Sequence, residues 1–178
     1  MALAEKPSFF PKDPGVYILC IVARESLDIP VGKLGIVHVK GDCVYLYVGS
    51  ALKGLHGRLA RHLSRQGKKI HWHVDFLLEQ LDIHRVYYAI TSQKKECEVS
   101  MRLHAEATLF KAIERFGNSD CKSCPSHLYQ YLGKENIEAL DTLLRAVFEQ
   151  SGLSPVSVMI ERFEPKDTKQ KTIKSNAR

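Results

Sequence analysis

Tyr47 to Leu78 reads YVGSALKGLHGRLARHLSRQGKKIHWHVDFLL, and the period of its apolar residues changes partway along. After Gly49, Leu55, Leu59 and Leu63 recur every four residues, while Arg58, Arg61, His62 and Arg65 share a neighbouring stripe, as on an amphipathic helix. The leucines are expected to pack on a sheet, with the basic stripe beside the strand end that carries Tyr47 and Gly49. From Ala51 to Ile70, Lys53, Arg58, Arg61, Arg65, Lys68 and Lys69 occur without one acidic residue. A merely solvated helix face usually interleaves both signs. A one-sign face of this kind suits a polyanion.

Working outward, GVYILCIVA at Gly15–Ala23 is a short apolar run of the kind that makes a buried strand. LGIVHV and CVYLYV flank Lys40-Gly41-Asp42 and read as two strands joined by a tight turn, after a loop over residues 24–32. HWHVDFLLEQL reads as a short helix, IHRVYYAIT as a strand, and Lys94 to Phe116 as a long helix ended by Gly117. NSDCKSCPSH is loop-like and HLYQYL a short strand. NIEALDTLLRAVFEQ is an amphipathic helix closed by Gly152, and PVSVMIERF a final strand.

GVY at Gly15–Tyr17, YVGS at Tyr47–Ser50, and Arg58 and His62 spaced R-x-x-x-H on one helix resemble the GIY-YIG nuclease signature. HWHVD at His71–Asp75 and CPSHL at Cys124–Leu128 are similar to motifs of an uncharacterised subfamily of it. The resemblance spans roughly Gly15 to Tyr131. It implies an α/β (α+β) fold: a small, mainly antiparallel central sheet flanked by helices. To this are added a β-hairpin within residues 24–40, expected to extend the sheet, and a C-terminal helix and strand. The domains expected are a nuclease-like body over 1–131, an extension over 132–164 packed on it, and a basic flexible tail over 165–178.

Phosphodiester hydrolysis needs a nucleophile, neutralisation of developing charge, and help for the departing oxygen. Tyr17 and Tyr47, on neighbouring strands, can present two phenols to one spot, and the resemblance implies that Tyr17, with water, helps to activate the nucleophile. A phenol of ordinary pKa, about 10, is a poor base unless a cation favours phenolate, and Arg58 is the expected source of that field. Arg58 also offers a planar donor fork for the phosphate. His62 either contacts the phosphate or assists the base, against the plainer reading of an imidazole bonded to a nearby carbonyl. His73, preferred over His71, is the further catalytic candidate, against a position at a helix start beside Trp72.

The family also supplies one metal-binding glutamate from the helix after the sheet. Glu96 shares a helical face with Val99 and Leu103, whereas Glu98 shares one with Lys95 and Arg102, so Glu96 is chosen to hold Mg²⁺ or Mn²⁺. A salt bridge from Glu96 to Arg58 without metal is the alternative. Gly49, Ser50, Lys53, Arg61, Arg65, Lys68 and Lys69 are expected to meet nucleic acid, probably DNA, along its backbone. Asn118, Ser119 and Asp120 are candidates for one cleft wall. Cys121-x-x-Cys124-x-x-His127 has zinc-like spacing, with Cys97 a conceivable fourth ligand, set against an ordinary loop.

The net charge of +6 adds little, because Lys166, Lys169, Lys171, Lys174 and Arg178 against Asp167 supply most of it from the tail. Five cysteines without regular spacing fit a reducing compartment. No segment approaches the roughly 18–20 apolar residues of a membrane span, and the start lacks a secretory pattern. A cytoplasmic location is expected. Two functions follow: a metal-dependent endonuclease, or a non-catalytic nucleic-acid-binding module on the same fold. A metal-bound scaffold built on the cysteines is a third reading.

Overall fold

The computed structural model describes residues 10–64, 69–118, 121, 123–133 and 137–160. Its centre is a six-stranded sheet in the order β6-β7-β4-β1-β5-β8, in which every neighbouring pair is antiparallel. The strands are β1 (Gly15–Ala23), β4 (Cys43–Ala51), β5 (Asp82–Ile90), β6 (Phe110–Ala112), β7 (Leu128–Tyr131) and β8 (Val156–Met159). β1 is central and is covered on both faces, which is why its sequence is an unbroken apolar run rather than an alternating one.

Its odd-numbered residues Tyr17, Leu19 and Ile21 face one core layer with Leu55 and Leu59 of α1 (Leu55–Leu63) and Val74, Leu77 and Leu78 of α2 (His73–Leu78). The even-numbered Val16, Ile18 and Cys20 face the other. There they meet Val99 and Leu103 of α3 (Glu96–Ala105), and Leu140, Leu144 and Phe148 of α4 (Ile137–Gln150). The result is an α+β fold of three layers, as expected from the sequence. The segment expected as a C-terminal extension is continuous with this body, since β8 pairs with β5 and α4 fills the second core layer. Residues 165–178 lie outside the described residues.

Three expectations are corrected. β3 (Gly35–Val39) pairs with β2 (Leu27–Val31), not with β4, so residues 24–32 are not simply loop. β4 is paired along its length with β1 instead. The hairpin is a separate two-stranded sheet and does not extend the central one. It buries one face only, through Ile29, Val31, Val37 and Val39, and such a ribbon tolerates Pro30 because its edge is unpaired.

The helix expected over Lys94–Phe116 stops at Ala105. Phe110 to Ala112 instead pair with β7, and Phe110 is buried with its ring 5.7 Å from that of Tyr131. An aromatic that fits the sheet edge prevails there over a periodicity that also fits a helix. Gly117, with φ +72°, closes a turn after β6, not the helix. No helix among the described residues is long and apolar enough to cross a membrane.

Candidate functional site

Where β1 begins and β4 ends, the two core layers open into a cleft of about 580 Å³. Tyr17, Tyr47, Arg58, His73 and Glu96 all line it. Tyr17 lies opposite Gly49, and Tyr47 lies opposite Leu19, so the two phenols project from the same face of adjoining strands. A Cβ at Gly49 would sit 2.4 Å from the Tyr17 ring, so this glycine makes room for the phenol. Glu96 comes from α3 on the opposite layer and reaches the cleft at the strand end, where the side chain of Ser50 points to that layer.

Tyr17 is 1% exposed, and its hydroxyl is 2.8 Å from Nε2 of His62, which is itself buried. His62 does not line the cleft; it stands behind Tyr17, with Nδ1 4.0 Å from Oδ1 of Asp75. His62 is thus in direct contact with the phenol. Burial raises the pKa of Tyr17, and the opposing positive charge of Arg58 does not offset it. Tyr47 is raised as well, by burial first and then by Tyr17 and Glu96. Arg58 supplies the lowering field expected of it, but desolvation outweighs the guanidinium and favours the neutral form of both phenols.

Arg58 is half-buried, with its guanidinium carbon 4.1 Å from the centre of the Trp72 ring. Arg61 lies over the same ring at 4.7 Å, and its Nη2 donates to Asp75 Oδ2 at 2.6 Å and to the Lys69 carbonyl at 2.9 Å. Arg61, expected on the phosphate backbone, is thus committed to holding α1 to α2. Asp75 is fully buried and also accepts from the backbone N–H groups of His71 and Trp72. Asp75 and Trp72 are what the sequence reading missed as organisers, although both stand inside HWHVD. The signal was an aspartate amid apolar helix residues, which needs buried donors.

His73 Nδ1 accepts from the Gly117 N–H at 3.1 Å, and burial lowers its pKa, so it is a neutral acceptor at this position. Lys53 lines the cleft and is exposed, and Lys94, also exposed, joins the lining without having been anticipated. Lys69 is exposed away from the lining, while Arg65 and Lys68 lie outside the described residues, as do Ser119 and Asp120. Asn118 donates to the Cys124 carbonyl at 2.7 Å.

Glu96 accepts from the Ser50 hydroxyl at 2.6 Å, and His127 Nδ1 lies 2.9 Å from its other oxygen. The side chain in contact with the carboxylate is the imidazole of His127, and Arg58 acts on it through its charge. Burial alone would raise the Glu96 pKa, but His127, Ser50 and the charge of Arg58 together lower it, so the carboxylate is ionised at neutral pH. Glu98 instead pairs with Lys95 at 2.6 Å and Arg102 at 3.5 Å, as its helical face implied. On the far side of His127, Nε2 lies 2.9 Å from Cys124 Sγ, and Cys121 Sγ stands 3.0 Å from Cys124 and 2.9 Å from Cys97. All four ligand atoms fall within 4.8 Å of one another.

The model of a family described as a domain of unknown function, DUF123, matches residues 16–150, a span that holds every cleft residue described above. No curated protein and no solved structure matches the chain.

Proposed function

This chain belongs to the DUF123 family, and we propose that its cleft is the active site of a metal-dependent endonuclease that hydrolyses phosphodiester bonds of nucleic acid, with DNA the favoured substrate. One observation carries the reading. Two phenols, a guanidinium and an ionised carboxylate, drawn from both layers of the fold, line one cleft. Lys53 and Lys94 add positive charge along its walls.

In this reading Arg58 receives the scissile phosphate, with Trp72 holding its guanidinium plane. A water donates a hydrogen bond to the Tyr17 oxygen. As its oxygen bonds to phosphorus and the P–O bond to the departing ester oxygen breaks, with the electron pair leaving on that oxygen, the water's proton passes to Tyr17 while the phenol gives its own proton to His62 Nε2. The imidazolium that results is stabilised by Asp75. A neutral Tyr17 therefore suits the site, because it relays a proton without first becoming phenolate. Tyr47 donates to a phosphate oxygen.

Glu96 fits a hard cation: it is ionised, and two of the roughly four lone-pair positions of a carboxylate remain after Ser50 and His127. Glu96 would hold Mg²⁺ or Mn²⁺, which supplies charge neutralisation at the phosphate and the leaving oxygen. The reading also puts the chain in the reducing cytoplasm, supported by five cysteines without a disulfide.

The test is incubation with labelled single-stranded, duplex and branched DNA and with RNA, with and without Mg²⁺ or Mn²⁺, beside Arg58→Ala and Glu96→Gln. Metal-dependent cutting that falls at least about 100-fold in both variants supports the enzyme. The second reading, a binding module without turnover, is favoured by the engagement of both Glu96 oxygens. Retained binding with no cutting under any metal condition selects it.

A further inference from the structure

We infer that Cys97, Cys121, Cys124 and His127 form a structural zinc site on the wall of the cleft, with Glu96 bracing the histidine from the other side. The inference stands apart from the nuclease reading, since it holds whether or not the chain cuts nucleic acid.

Three soft sulfurs and one imidazole nitrogen are a complete tetrahedral zinc set, and a set with four protein ligands is closed in the manner of structural sites. The ligands come from separate parts of the chain: Cys97 from the first turn of α3, Cys121 and Cys124 from the loop before β7, and His127 from the residue preceding β7. The fold brings Cys97 to 2.9 Å from Cys121 across 24 residues of sequence. A Zn–S bond of about 2.3 Å places tetrahedral sulfurs about 3.8 Å apart. The present sulfur spacings of 2.9 and 3.0 Å reach that by opening the cluster less than about 1 Å.

The histidine is already oriented for such a site. Its N–H donates to the Phe116 carbonyl at 2.7 Å, and its carbonyl accepts from the Val48 N–H at 2.8 Å, so the backbone is fixed at both ends. Ser126 beside it is buried and bonds the Ile113 carbonyl at 2.6 Å. With Nε2 turned to the sulfurs, Nδ1 faces Glu96 at 2.9 Å. That is the carboxylate–histidine–metal arrangement, in which the carboxylate fixes the tautomer and the ring plane. Thiols are weak hydrogen-bonding groups, so hydrogen bonding alone is a poor reason to gather three of them around one imidazole.

The experiment is metal analysis of the full chain purified under reducing conditions, with cobalt uptake by chelator-stripped protein as a second readout. The expected result is about one zinc per chain and the intense thiolate-to-cobalt absorption of a tetrahedral site, both lost in Cys97→Ser and Cys124→Ser. Glu96→Ala is expected to retain the site but weaken zinc by about 10- to 100-fold. Should the cysteine variants not fold, alkylation of the unaltered chain decides: zinc should shield Cys97, Cys121 and Cys124 and leave Cys20 and Cys43 as they were. Absence of zinc and cobalt uptake by the reduced chain overturns the inference. So does zinc that survives both substitutions, or a disulfide among the three cysteines in place of metal.

Discussion

Ser50 and His127 stand at the two oxygens of Glu96 while Tyr17 and Tyr47 sit buried across the cleft, so neighbours favour the ionised carboxylate and burial the neutral phenols. The phenols give a prediction with a definite sign. Their folded pKa values lie above the unfolded value of 10.0, so the stability this contributes is complete below about pH 10 and is lost as pH rises beyond it. Thermal unfolding followed from pH 8 to 11 should show a steep alkaline fall that Tyr17→Phe makes shallower; equal slopes would count against buried neutral phenols. Glu96 runs the other way. Its lowered pKa adds stability above about 4.5 that disappears as pH falls through the folded value, and Glu96→Gln should flatten that acid limb.

Beside the apolar layer that α1 and α2 share, Asp75 ties them together, its Oδ2 gathering Arg61 and the N–H groups of His71 and Trp72. Asp75→Ala leaves a half-buried guanidinium and two backbone donors without their acceptor, and is expected to cost about 3–5 kcal/mol in urea unfolding. A loss under about 1 kcal/mol would mean that water replaces the carboxylate readily. Between β1 and β4, Gly49→Ala drives a methyl into the Tyr17 ring, for which relief requires the phenol to move away from His62. We expect about 1–3 kcal/mol of destabilisation and, in cleavage assays, a loss comparable to that of Tyr17→Phe.

On the scale of the molecule, the second core layer depends on elements late in the chain. α4 covers one face of the sheet with Leu140, Leu144 and Phe148, and β8 completes its edge beside β5. Ending the chain after Gly133 would uncover that apolar face, so the shortened protein should fail to give a cooperative unfolding transition in circular dichroism and should aggregate. A sharp transition in that fragment would show that residues 10–133 fold alone.

The sequence by itself determined the elements whose pattern admits one reading. GVYILCIVA reads as a buried strand and the leucines four apart from Leu55 as one face of a helix, and both formed. The same local logic separated Glu96 from Glu98, because positions three and four apart share a helical face. Where two partners were locally equal, only tertiary structure decided. β3 had a tight turn toward β4, yet β4 has the apolar faces to lie beside β1, and β3 went to β2. Likewise the sequence around Glu96 suggested Arg58 as its partner, whereas the contact is made by His127, 31 residues further along, through the pairing that sets β7 against β4. Periodicity records what a residue shows to its own element; the choice among distant partners is made by packing, which no local window contains.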